Sequence, residues 1–115
     1  GVAHDCLFCK IAAGEIPSSK VYEDEDVLAF RDINPVAPVH VLVIPKQHLG
    51  SVADLRPEHT ELLAKLFAAV QRVAAETGVA ETGYRVVTNH GKDSGQQVLH
   101  LHLHVLGGRT LGPVA

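Results

Sequence analysis

The alternation His100-Leu101-His102-Leu103-His104-Val105 constrains this chain more than any other stretch. In a β-strand successive side chains point to opposite faces, so a period of two puts the imidazoles on one face and the apolar residues on the other. The apolar face has to be buried, which anchors the strand in a core. The imidazoles then project together from a rigid element, about 7 Å apart along it. The pattern alone leaves three uses open: a polar sheet face, a metal-binding face, or catalysis by rings that exchange protons near neutral pH.

The rest of the chain supplies a frame for that strand. Segments 20–23 and 27–33 flank the acidic turn Asp24-Glu25-Asp26 and read as a hairpin, and 39–44 is a β-branched run ending at Pro45. Leu62, Leu63, Leu66, Phe67, Val70 and Val73 recur at helical spacing between Pro57 and Gly78, which gives one long helix. Segment 84–88 reads as a strand, 89–95 as a polar loop containing glycine, and 99–106 as the histidine strand. A short helix starting at Cys6 is stopped by Gly14 and Pro17. The expected fold is α+β, a five-stranded antiparallel sheet with one long and one short helix, both on one side. The 115 residues are expected to form a single domain over 4–115, with 1–3 set aside as an N-terminal tail.

A formal charge of −3 leaves no general electrostatic footprint for nucleic acid or an anionic membrane, so a phosphate ligand would have to be held locally. The apolar runs are far shorter than the ~20 residues a membrane helix needs, and the expected location is the cytoplasm. The two cysteines are too few and too close together for a secreted disulfide framework. Cys6-x-x-Cys9 is half of a zinc site by spacing, whose other ligands would be histidines; a redox pair or two buried thiols are the other readings. Gly91-Lys92 is no P-loop, because Val86 stands where a glycine is required and Asp93 replaces the Ser or Thr. No GxGxxG occurs, and Ser94 lacks the glycines of a nucleophile elbow.

What favours catalysis is the approach to the histidines, Gly95-Gln96-Gln97-Val98. A glycine-led turn just before the strand can aim backbone N–H groups at a phosphate. A neutral ring nitrogen attacking that phosphorus would form a phosphohistidine-type intermediate and split one hard displacement into two easier ones.

His100-Leu101-His102-Leu103-His104-Val105-Leu106 also fits H-φ-H-φ-H-φ-φ, with φ hydrophobic. With Phe30-Arg31-Asp32-Ile33-Asn34-Pro35, Pro38-Val39-His40, Val43-Ile44-Pro45-Lys46 and Gly95-Gln96, it makes the chain resemble the histidine triad (HIT) family of nucleotide-binding hydrolases and transferases. The likeness runs from about Cys6 to Gly112 and is greatest to the Hint branch, the purine-nucleoside phosphoramidate hydrolases. The resemblance implies a HIT-like fold in which His102 attacks the α-phosphorus of a purine nucleotide or nucleoside phosphoramidate. His104 would contact the phosphate and assist proton transfer, and His40 would support the developing charge from the facing strand. Asp32 matches the family's ribose-hydroxyl acceptor, and Phe30, Ile33, Leu7 and Phe8 match its apolar walls around the base. Asn89, Gly95, Gln96, Gln97 and Val98 fall where the family holds the phosphate.

The resemblance further implies a structural zinc held by Cys6, Cys9, His48 and His100, no catalytic metal, and a homodimer pairing the long helix and the 84–88 strand. Gln97 stands where the Hint branch commonly has a serine that helps the leaving group, and 110–115 lacks a tryptophan-bearing tail. Two alternatives therefore accompany the phosphoramidate hydrolase: a zinc-stabilised nucleotide-binding module with little turnover, and a dinucleoside polyphosphate hydrolase. From residue type alone, Phe30 and Leu7 read as plain core, Asp32 as a turn former and His40 as a satisfied core histidine. His4 and His59 read as surface residues, and His90 as a loop residue without a clear partner.

Overall fold

The sheet begins at the acidic turn. Asp24 Oδ1 accepts from the Asp26 and Val27 N–H groups, both at 2.8 Å, and this closes β1 (Lys20–Glu23) onto β2 (Val27–Arg31). These elements belong to a computed structural model that describes residues 6–115; the tail 1–3, His4 and the expected domain start lie outside the described residues. β3 (Val39–Pro45) pairs with β2, and β4 (Tyr84–Val87) and β5 (Leu103–Gly107) complete a five-stranded antiparallel sheet of order β1-β2-β3-β5-β4. The last strand is thus inserted between β3 and the edge strand β4.

α2 (Thr60–Thr77) covers one face of the sheet. Its Leu66, Ala69, Val70 and Val73 pack with Val27, Ala29, Val41, Val43, Leu103 and Val105. It ends at Gly78, whose φ of 85° is the left-handed conformation a glycine adopts most readily. Pro57 leads in as expected, although Pro57–His59 is a 3-10 turn and the α-helix proper begins at Thr60. A further short helix, α3 (Val79–Thr82), follows directly and carries no sequence signal of its own.

α1 (Leu7–Ala12) lies on the opposite face, where Phe8 and Ile11 pack against Leu28, Phe30, Leu42 and Ile44. The expectation of both helices on one side is therefore corrected. The physical reason is in the strands: Val27 to Phe30 and His40 to Pro45 are buried without alternation, so neither face of β2 or β3 can be left to water.

The histidine strand is also shorter than its pattern. β5 starts at Leu103, and His100, in a bend, and His102 precede it in irregular chain, so only His104 sits on the ladder. Pairing with β3 ends at Val43 opposite Leu103, short of Pro45, which has no N–H to offer the ladder and whose carbonyl accepts from His100 Nε2 at 2.8 Å. On the other side the Thr88 hydroxyl, not a strand amide, donates to the His102 carbonyl at 2.8 Å. β2 likewise ends at Arg31 and not at Ile33, because Asp32 Oδ1 accepts from Asn34 N–H at 2.8 Å and turns the chain.

Leu66 is 1% exposed at the centre of the contact between α2 and the sheet. Leu66→Ala is expected to cost roughly 2–5 kcal/mol in a chemical denaturation experiment. A loss below about 1 kcal/mol would mean that this helix is not packed as described.

Candidate active site

His102 is oriented by main chain. Its Nδ1 lies 2.6 Å from the His100 carbonyl oxygen, which can only accept, so Nδ1 carries the proton and Nε2 keeps a lone pair. The ring is buried, at 7% exposure of the residue. Phe8 from α1 meets it edge to face, with centroids 5.0 Å apart at 88°.

A second imidazole pair faces it. His40 Nδ1 accepts from Val36 N–H at 3.1 Å, which leaves the proton of the neutral ring on Nε2. That Nε2–H points at His104 Nδ1, 2.9 Å away, with Asp32 Oδ2 at 3.4 Å. His104 accepts at Nδ1 and so carries its own proton on Nε2. Its ring centroid stands 5.0 Å from that of His102. Burial and the neighbouring imidazoles push the His104 pKa down to about 4, and burial lowers His40 against the opposing pull of Asp32. Both rings are therefore neutral at pH 7. Asp32 does two things at once: one oxygen makes the turn, as residue type alone suggests, and the other faces His40.

His102, His104 and Asp32 open onto a cleft of about 270 Å³, with His40 behind them and not in its lining. Phe8, Asp32, Leu42, Asn89, His102 and His104 line it, together with Gly95, Gln96, Gln97 and Val98 of the turn before the histidines. Gly95 has φ 82°, and the Gln96 amide ties the turn down, accepting from Gly91 N–H at 2.9 Å and donating to Gly50 O at 2.9 Å and Val98 O at 3.2 Å. Leu42 was not legible as a site residue; its place follows from pairing directly opposite His104. Phe30, Leu7 and Ile33 are not among the lining residues. Phe30 is buried 5.5 Å from the Phe8 ring, whereas Leu7 and Ile33 are 47% and 90% exposed.

The strand geometry would have put His100 beside the other two, and here the structure differs most. His100 is fully buried, with Nδ1 3.2 Å from Cys6 Sγ and 3.4 Å from Cys9 Sγ. His48 Nδ1 lies 3.2 Å from Cys9 Sγ, so four ligand atoms gather within 4.8 Å of one another in a cluster that could hold a metal ion. The donor set fits the group. Two thiols crowd one ring nitrogen whose partner, Nε2, is already spent on Pro45 O, which is how a metal-binding imidazole is held by its second nitrogen. Burial and Cys6 push the Cys9 thiol up to about 11, a cost that a bound cation reverses.

Elsewhere, His90 does have a partner, contrary to expectation: its Nδ1 lies 2.7 Å from Ser51 Oγ. The pair borders a separate cleft of about 410 Å³ on the other side of Gln96. His59 accepts from Arg56 N–H at 2.9 Å and caps the turn before α2.

Residues 13–111 match the HIT domain. The chain is 44% identical over 113 residues to the purine nucleoside phosphoramidase of Escherichia coli (strain K12), covering 98% of this chain and 95% of that one. It is 48% identical over 103 residues to Protein HitA of Neisseria gonorrhoeae, covering 90% and 95% respectively. The structure described as a HIT family hydrolase from Clostridium thermocellum is similar at a TM-score of 0.92 and 50% identity, covering 95% of each chain. Cys6 and Cys9 precede the span that matches the HIT domain.

The depressed histidines predict a pH dependence. An unfolded chain binds protons on these rings below about pH 6.5, while folded His104 stays neutral until about pH 4. Stability should therefore be level from about pH 7 to about pH 8 and fall as pH drops from about 6.5 to about 4, by about 2–3 kcal/mol from His104. Denaturation at a series of pH values checks this, and a profile flat from pH 7 to pH 5 would contradict it.

Proposed function

Since the chain belongs to the HIT domain family, we propose that it is a nucleotide hydrolase that cleaves nucleoside phosphoramidates through a covalent nucleotidyl-His102 intermediate. The observation that carries this reading is the 2.6 Å contact from His102 Nδ1 to the His100 carbonyl, which leaves Nε2 as the free nucleophile. The name of the Escherichia coli relative, a purine nucleoside phosphoramidase, supports the substrate class.

In the first step Nε2 attacks the α-phosphorus, an N–P bond forms, and the bond to the leaving amine breaks. The amine departs with a proton drawn from solvent. The ring acquires a positive charge at this point, and the Nδ1–H bond to a carbonyl stabilises it without giving up the proton. His104 presents its Nε2–H to a phosphoryl oxygen, and His40 holds it in that tautomer. Being neutral at pH 7, His104 donates without adding a second charge beside the imidazolium. The N–H groups of the 95–98 turn and Asn89 complete the phosphate cradle, and Asp32 holds the ribose. Water then attacks the phosphorus and gives up a proton to solvent, the N–P bond breaks with its electron pair returning to Nε2, and the nucleoside monophosphate leaves.

The base lies beyond the cleft, over Phe8 and the exposed apolar side chains of Leu7 and Ile33. Gln97 lines the cleft on the phosphate side, and an amide in the place of a hydroxyl sets the choice of leaving group. The Cys6, Cys9, His48 and His100 cluster is a structural zinc centre, whose ion supplies the charge that lets both thiols deprotonate. A homodimer joined along edge strand β4 and α2 would cover Tyr84 and Phe67, which are 39% and 49% exposed. No helix among the described residues is long and apolar enough to cross a membrane.

His102→Ala should lower phosphoramidate turnover by at least about a thousandfold while AMP affinity changes little; hydrolysis at the parental rate would remove the mechanism. For the metal, the parent protein should carry one zinc per chain and Cys9→Ser should lose it. Elemental analysis finding no zinc in protein prepared without chelator or oxidant would end that part of the reading.

A further inference from the structure

We infer that the Cys6, Cys9, His48 and His100 cluster, when it holds its metal, positions the nucleophile, acting on His102 through the main chain of His100 and through Phe8. The inference rests on the reading of His102 as nucleophile, and it assigns the cluster a part in turnover without any metal in the chemistry.

His102 lies outside the sheet, so no ladder hydrogen bond of β5 fixes it. What orients its ring is the His100 carbonyl at 2.6 Å. That carbonyl belongs to a residue whose side chain is pinned at both nitrogens, Nδ1 against the two cysteine sulfurs and Nε2 against Pro45 O. Leu101, between the two histidines, donates its N–H to Leu49 O at 2.6 Å, and Leu49 follows the cluster residue His48. Both the side chain of residue 100 and the backbone of residue 101 thus refer the segment back to the cluster. Released from it, His100 would keep only its Nε2 anchor on Pro45 O, and the peptide unit whose carbonyl aims Nε2 would be held by the Leu101–Leu49 bond alone, one residue from the freed His48.

The second route runs through α1. This helix has six residues, too few to stand alone in water. Cys6 caps it, its sulfur accepting from Cys9 N–H at 3.3 Å, and Phe8 sits between the two cysteines. The Phe8 ring meets His102 at 5.0 Å and 88° and His100 at 6.0 Å and 69°. Any shift of the cysteine pair therefore moves the ring that holds the nucleophile from its other side. Phe8 is a positioning residue in this scheme as well as a wall of the cleft.

The test compares the full-length protein loaded with zinc and stripped by chelation, with metal content measured in both. Far-UV circular dichroism reports the fold, AMP titration reports binding, and single-turnover kinetics report nucleotidylation. Ring ¹⁵N spectra without substrate report solvent exchange of the His102 Nδ1 proton. Stripping should leave the fold in place, change AMP affinity by less than about threefold, slow nucleotidylation by at least about tenfold and abolish protection of the Nδ1 proton. Stripped protein that is folded and keeps both its rate and the protected proton would overturn the inference, as would protein that takes up no zinc.

Should stripping unfold the chain, Phe8→Leu carries the test, since Phe8 packs on the His100 ring but supplies no ligand atom. It should retain one zinc per chain yet lose Nδ1 protection and slow nucleotidylation severalfold; unchanged values overturn the inference. The exchange measurement needs no turnover. Metal-dependent protection alongside full activity of His102→Ala would sink the nucleophile reading and leave the coupling standing.

Discussion

The site depends on one hydrogen bond, from His102 Nδ1–H to the carbonyl of His100 at 2.6 Å. An imidazole has two nitrogens and, when neutral, one proton, so whatever fixes the proton on one nitrogen decides which other nitrogen can react. A main-chain carbonyl is a dependable partner for this purpose because it cannot donate and does not titrate. The same logic runs in the opposite sense at His40, where the Val36 N–H can only donate and so forces the proton to Nε2 and on toward His104. Two backbone groups thereby set three tautomers.

Those backbone groups are held in place by a sheet with no face to spare. β2 and β3 are buried on both sides, so α2 has to cover one face and α1 the other. The α1 face is where His40, Leu42 and His104 project, and the helix that shields them brings Phe8 onto the His102 ring. Core packing and site construction are the same event on this side of the molecule. The cluster of Cys6, Cys9, His48 and His100 ties the ends of three segments to one another at the margin of that core: the start of α1, the loop after β3 and the approach to β5.

The period-two histidine pattern was enough to single out residues that the fold gathers at a cleft and a cysteine–histidine cluster, since alternation with leucines fixed which residues face the α2 core. It could not tell where the ladder stops. That depends on Pro45 in the neighbouring strand and on the Thr88 hydroxyl, which are remote in sequence, and it is why three imidazoles that the bare alternation puts on one face, and that only the family resemblance told apart, stand as one metal-cluster residue and two cleft residues. The helix α2 and the hairpin turn at Asp24 were legible because their signals are local. The placement of α1 was not, although the unbroken burial of β2 and β3 could have revealed it, because a strand apolar on both faces calls for two covers. Leu42 and the Ser51–His90 pair depend on register and loop packing and left no trace in the sequence. The Cys6 and Cys9 pair gave half of its cluster by spacing, the family resemblance named His48 and His100 as the other half, and the fold brings all four together.

Bond formation between His102 Nε2 and phosphorus is tested most directly by quenching the parent enzyme in alkaline denaturant during turnover of a nucleoside phosphoramidate and sequencing its peptides by mass spectrometry. The expected result is a nucleoside monophosphate adduct that rises and decays with turnover and whose fragment ions place it on His102. Turnover with no adduct at any time point, or an adduct on His104, would contradict the account.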